Sequence, residues 1–140
     1  MTADARLPTY VDTSVLVAVL SPGEPHHIAA SHWLRGVGDL VTSVVTEVEL
    51  GRALGRRASP ARLRSVASRL LAGCELVEMS DDIRRTAVDL RPASLRTLDA
   101  LHVATALVAG VGEFATFDIR QKVGAEEAGL TPAALGGQQP

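Results

Sequence analysis

The stretch Thr9-Tyr10-Val11-Asp12-Thr13-Ser14-Val15-Leu16-Val17-Ala18-Val19-Leu20 decides the fold. Leu7 to Val11 reads as a short strand, because Thr9, Tyr10 and Val11 favour pleated backbone. Asp12 closes it. Thr13 or Ser14, or Asp12 itself, can cap a helix that would bury Val15, Leu16, Val19 and Leu20. Ser21-Pro22-Gly23 stops that helix. An apolar strand that runs through one acid straight into an apolar helix is the opening of an alternating strand–helix chain.

Working outward, the same alternation repeats. A second helix is expected from about Pro25 to Arg35, with Ile28, Ala29 and Trp33 inward. Leu40 to Thr42 reads as a strand and Val44 to Arg57 as a helix. Ser59-Pro60 restarts a helix in the favoured order, and Gly73 ends it. Cys74 to Met79 is a third strand, and Ser80-Asp81-Asp82 caps a helix to about Leu90. After Arg91-Pro92, Thr97 can cap a helix over Leu98 to Val108. Glu113 to Phe117 is a fourth strand, Asp118 starts a helix to about Ala128, and Gly129 to Thr131 is a last edge strand. Such an order predicts an α/β fold with three layers, helices on both faces of a parallel sheet of four to five strands. Residues 1–135 are expected to form a single domain and 136–140 a disordered tail.

Composition removes several function classes. The 140 residues carry 16 acids and 14 bases, a formal net charge of −2, so bulk charge does not make this a nucleic-acid coat. Cys74 is the single cysteine, which excludes an intrachain disulfide and a cysteine-rich zinc site. His26, His27, His32 and His102 lack zinc-site spacing. Cys74 is expected as a small buried hydrophobe, and His26 and His27 as surface residues at a helix start. The polar start of the chain shows no signal peptide, and no apolar run is long enough to span a membrane, so a reducing cytoplasm is the expected compartment. Aromatic residues make up 3% of the chain, which excludes base stacking as a major binding device.

In an open parallel sheet, ligands bind beyond the carboxyl ends of the strands. Asp12 and Asp118 fall at that edge, and Glu47, Glu49 and Asp99 lie early in helices that can face it. Each acid alone also fits a plain role: Asp12 and Asp118 as helix caps, Asp99 as a partner of the helix dipole, Glu49 as an exposed helix acid. Together they form a self-repelling carboxylate cluster, which must protonate, find cations or bind metal. All-oxygen donors point to Mg²⁺ or Mn²⁺. Glu47 and Glu49 are two apart, so a helix turns only one of them to the site.

Four segments carry a family resemblance. Tyr10-Val11-Asp12-Thr13-Ser14-Val15-Leu16 resembles the opening motif of PIN-domain ribonucleases. Ser43 to Leu54, Leu95 to His102, and Phe114 to Arg120 are similar to their second, third and fourth motifs, in the right order over roughly residues 7 to 132. Within that family the chain looks most like the VapC toxins of bacterial VapBC toxin–antitoxin pairs. The resemblance implies a Mg²⁺-dependent endoribonuclease with an acidic quartet of Asp12, Glu49, Asp99 and Asp118. Asp12 and Asp99 would be the direct metal ligands, while Glu49 and Asp118 would bind metal or position its waters. The Glu directly before Leu50 selects Glu49 over Glu47. Ser14 and Thr116 fall where the family often has a hydroxyl near the metal or the scissile phosphate. The resemblance further implies a homodimer and a VapB-like antitoxin partner.

Other features stay open. Arg52, Arg56, Arg57, Arg62, Arg64 and Arg69 fall in a stretch without acids, and Arg52 and Arg56, read as one helix face beside Glu49, could guide RNA phosphates; a plain basic surface fits as well. Val44, Val48, Gly51 and Gly55 form a small-residue stripe that suits internal packing or a dimer contact. His102 follows Asp99 by three residues and reads as a packed or hydrogen-bonded histidine that could touch the site. Two other functions compete. A phosphatase-like or receiver-like phosphotransfer domain also ends its first strand in Asp, but Ser14 stands where the phosphatase needs a second Asp. A PIN-like protein that only binds a partner would have no use for self-repelling acids.

Overall fold

The computed structural model describes residues 6–136. Residues 1–5 and 137–140, which hold most of the expected tail, lie outside the described residues. The chain runs β1 (Thr9–Val11), α1 (Thr13–Leu20), α2 (His27–Gly36), β2 (Leu40–Ser43), α3 (Val44–Leu54), α4 (Pro60–Ala72) and β3 (Cys74–Val77). It continues with α5 (Asp81–Val88), α6 (Thr97–Ala109), β4 (Glu113–Ala115), α7 (Ile119–Glu127) and β5 (Thr131–Pro132). This is the expected alternation.

The five strands pair in the order β3-β2-β1-β4-β5, all parallel. The chain builds outward from β1 to β3 on one side, then crosses to lay β4 and β5 on the other. The order therefore reverses between β1 and β4, the place where open α/β sheets form a ligand crevice. Val11 pairs with Ala115 there, which brings Asp12 level with Thr116.

Every residue of β1 is buried, as expected for a parallel strand covered on both faces. Val11, Leu40 and Ala115 face α1 to α4 with Val15, Leu16, Leu20, Leu50 and Leu54. Tyr10, Val41 and Phe114 face α6 and α7 with Val103, Ala106 and Ala125. α6 is buried nearly all round its middle, since it lies between the sheet and α5. Its apolar character comes from that central place.

Several local expectations are corrected. Asp12, with Oδ1 accepting from Ser14 N, caps α1; Thr13 and Ser14 lie inside the helix. Thr97 is the first residue of α6, whose cap position, Arg96, makes no side-chain cap bond. α3 ends at Leu54, not Arg57, because Gly55 takes the cap position and the chain must turn before α4. In α2 only Ala30 is fully buried and Ile28 is 80% exposed, so the helix lies shallowly on α1. Val48 is exposed and a Cβ on Gly51 would meet nothing, whereas one on Gly55 would meet Arg64, so the middle of the small-residue stripe is not packed inside the domain. Cys74 is half-buried, and burial pushes its thiol pKa up.

Candidate active site

Asp12 stands at the switch point, 3% exposed. Its Oδ1 accepts hydrogen bonds from the Ser14 amide at 3.0 Å and the Ser14 hydroxyl at 2.7 Å. Its Oδ2 accepts from Thr116 Oγ1 at 2.8 Å. These donors are neutral, and the arginine ion pairs among the described residues all lie on α5, joining Arg84 to Asp81 and Arg85 to Asp81 and Asp82. Burial pushes the Asp12 carboxyl pKa up, against the field of His102 and the hydroxyl bonds. An acid kept this dry without a paired cation is costly in the metal-free fold.

Two hydroxyls lock β4 to β1 at this point. Thr116 Oγ1 also accepts from Asp118 N at 2.9 Å, and Ser14 Oγ accepts from Phe117 N at 3.0 Å. Asp118 then caps α7, its Oδ1 accepting from Arg120 N at 2.9 Å and Gln121 N at 3.3 Å. The capping role expected for Asp118 and its place at the site are therefore compatible. Its Oδ2 has no hydrogen-bond partner among the described residues and is free to face a ligand.

Asp99 sits in the first turn of α6, half-buried. Its Oδ1 accepts from Gln121 Nε2 at 3.0 Å. Gln121 thereby touches two acids, one through its backbone and one through its side chain. It is 3% exposed, and its Oε1 has no partner. Sequence reasoning missed it, although Asp118-Ile119-Arg120-Gln121 has capping-box spacing, a signal that a polar side chain is needed there. The structure redirects that side chain from its own helix to Asp99.

Glu49 is held by a different set. Thr13 Oγ1 donates to its Oε1 at 2.6 Å, and His102 Nε2 lies 2.7 Å from the same oxygen. His102 Nδ1 is 2.6 Å from the hydroxyl of Tyr10, which is fully buried. Burial, reinforced by the charge of Asp12, pushes the Tyr10 phenol pKa far up, so it stays protonated and can donate. The consistent arrangement has Tyr10 O–H donating to Nδ1 and Nε2–H donating to Glu49. Partial burial pushes the Glu49 carboxyl up, but the bonds from His102 and Thr13 outweigh it and hold the pKa below its ordinary value. His102 is thus both a buried core histidine and a contact of the site. Glu47 on the same helix is exposed, which separates the two glutamates as helix geometry requires.

The four acids do not collapse into one cage. Among the described residues, no group of three or more His, Cys, Asp or Glu could hold a single metal ion. The expected tight convergence is therefore a looser arc, with each carboxylate drawn to donors on its own flank. Such an arc would hold a cation through one or two carboxylates at a time, with water in its other positions. Asp99 Oδ2, Asp118 Oδ2 and Glu49 Oε2 have no protein partners among the described residues, so oxygen donors are available. Arg52 and Arg56 line a groove of about 570 Å³ with Glu47, Gly55 and Arg64, and Arg56 lies beyond the end of α3. A wider groove at the opposite sheet edge, lined by Thr9, Trp33, Asp39 and Glu113, includes none of the four acids.

Comparison with known proteins agrees with this geometry. The family model described as PIN domain matches residues 9–127. The chain is 39% identical to ribonuclease VapC35 of Mycobacterium tuberculosis over 133 residues, covering 91% of this chain and 96% of that protein. Among solved structures it is similar to Mycobacterium tuberculosis VapC20, titled a sarcin-ricin loop cleaving toxin, with a TM-score of 0.74, 22% identity, and coverage of 89% of this chain and 98% of that one. A toxin–antitoxin complex from Klebsiella pneumoniae aligns with a TM-score of 0.68 and 22% identity, covering 85% of this chain and 93% of that chain.

Proposed function

Since the chain belongs to the PIN domain family and, within it, to the VapC ribonucleases, we propose that it is a Mg²⁺-dependent endoribonuclease and the toxin of a toxin–antitoxin pair. The observation that carries this reading is Asp12, a buried carboxylate with neutral donors only, at the sheet's switch point and joined through Thr116 to the turn after β4 that bears Asp118. A protein that only bound a partner would gain stability by losing such an acid.

In this reading Asp12 and Asp99 hold the metal, and Glu49 and Asp118 bind it or orient its waters. When bound, Mg²⁺ supplies activation of a water and stabilises charge on a phosphodiester; Mn²⁺ is the natural substitute. The protein's own part is positional. Ser14 and Thr116 fix both oxygens of Asp12. Gln121 ties Asp99 to the cap that carries Asp118. His102 and Thr13 fix Glu49 in its ionised form. Arg52 and Arg56 are exposed on the Glu47 side of α3, along a groove that includes none of the four acids, so any RNA phosphates they meet would lie to one side of the site. A VapB-like antitoxin would inhibit the toxin, which we place in the cytoplasm as a homodimer. No helix among the described residues is long and apolar enough to cross a membrane.

Incubation of the purified protein with single-stranded RNA tests the reading. Cleavage is expected with Mg²⁺ or Mn²⁺ and none in EDTA. Cleavage that persists in EDTA would remove the metal, and no cleavage under either condition would remove the activity. A phosphoryl group trapped on Asp12 after incubation with acetyl phosphate would favour the phosphotransfer alternative.

A further inference from the structure

His26 and Phe117 stack face to face, with ring centroids 4.1 Å apart and planes within 7°. Phe117 lies between Thr116 and Asp118, and its amide is held by Ser14 Oγ, which also binds Asp12. One side of Phe117 packs on the core beneath α1 and α2. His26 caps α2 without a side-chain cap bond, and among the described residues neither of its ring nitrogens makes a hydrogen bond. Its neighbour His27 does the anchoring instead, with Nδ1 2.8 Å from Ala18 O. His26 is partly buried, and its ring is held flat by Phe117 without a hydrogen bond among the described residues.

The other aromatic side chains are engaged elsewhere. Tyr10 and Phe114 are fully buried and stacked on each other. Trp33 lines the groove at the opposite edge of the sheet. A chain with this few aromatic residues has nevertheless stacked a flat ring on Phe117, the residue that directly precedes Asp118.

Resting on the ribonuclease reading, we propose that His26, backed by Phe117, is a stacking platform for one unpaired nucleobase flanking the scissile phosphate. A flat ring with free nitrogens suits a base face and its edge atoms, and stacking tolerates any base while requiring that one be present. Recognition would then be phosphate-led along the strand, with one base position read by stacking.

The test is binding, kept apart from cleavage. A short labelled single-stranded RNA is titrated by anisotropy in EDTA, beside versions in which one abasic ribonucleotide steps along the chain. For the wild type, one abasic position should weaken binding by about 5- to 100-fold. His26→Leu keeps an apolar contact on Phe117 but offers no ring. It should bind intact RNA as weakly as the wild type binds that abasic RNA, and lose no more on the abasic one. His26→Phe should restore both affinity and position dependence, and thermal melts of both variants report that the fold is intact. If no abasic position matters to the wild type, or if His26→Leu keeps the wild-type position dependence, the stack is a packing contact and the platform is overturned. Position-dependent binding by a wild type that cleaves no RNA with Mg²⁺ or Mn²⁺ would support the platform and overturn the ribonuclease reading.

Discussion

Asp12 and Glu49 stand on opposite flanks of the same sheet edge and are held by opposite means. Asp12 sits between β1 and β4, nearly dry, with hydroxyl and amide donors alone. Glu49 sits over α1 and α6, half-open, against a buried histidine that is itself braced by a phenol. The first flank is electrostatically unfinished, because burial penalises its charge and the hydroxyl bonds and the field of His102 offset that only in part. The second is self-sufficient. On the function proposed above, that difference would put the external cation at Asp12 and leave Glu49 with the counterpart the protein already supplies.

The comparison can be broken most forcefully at Asp12. Asp12→Asn keeps the helix cap and the size of the side chain, and removes the buried charge. Cleavage of RNA should fall by about 100-fold or more. The metal-free variant should nevertheless be more stable at neutral pH, by about 1 kcal/mol, since a dry unpaired carboxylate is gone. The pH dependence carries the same sign. Asp12 has a raised folded pKa, so its contribution is most favourable when protonated and worsens as pH rises from the unfolded value towards the folded one. Glu49 has a lowered folded pKa, so its contribution is present above the unfolded value and disappears as pH falls through the folded one. Chemical denaturation of the metal-free protein between acid and neutral pH should show the first limb flattened in Asp12→Asn and the second intact. A variant that is both inactive and less stable would mean that Asp12 is a structural cap before anything else.

His102→Ala attacks the self-sufficient flank. It strands the Tyr10 hydroxyl in the core, removes a donor from Glu49 and opens a void. A loss of about 2–4 kcal/mol in denaturant unfolding is expected, with cleavage down about 10- to 100-fold. His102→Gln can reach Glu49 with an N–H and should recover part of the activity. If the glutamine recovers stability and no activity, the histidine does more than hold Glu49 in place.

The smallest effect is expected at Glu47. It is exposed on α3, so Glu47→Ala should change stability by less than about 0.5 kcal/mol and leave the RNA cleavage rate near wild type. Loss of activity there, with Glu49→Ala active, would reverse the choice between the two glutamates.

Much of this was legible along the chain because parallel α/β structure writes itself locally. Buried strands are short apolar runs, caps and glycines punctuate helices, and both kept their places within a few residues. The acids at strand ends were legible for the same reason, since Asp12 and Asp118 mark the strand-to-helix turns. Ile28 was misread because periodicity records that a helix has an apolar side but not how deeply it sinks, and α2 rides high on α1. Gln121, the His26–Phe117 stack and the Tyr10–His102 pair went unread because their partners lie far off in sequence; Tyr10 and His102 are 92 residues apart.

By itself the sequence determined the alternation of strands and helices, the parallel sheet, and the positions at which acids could meet the carboxyl edge. Those depend on backbone propensity and burial pattern, which are properties of neighbouring residues. Only the tertiary structure decided how each acid is held: hydroxyls for Asp12, an amide for Asp99, a braced imidazole for Glu49. It also decided that His26 lies flat on Phe117. Hydrogen bonds and stacks are contacts between distant elements, and their partners exist only once strand order and helix depth have been set by packing the whole domain.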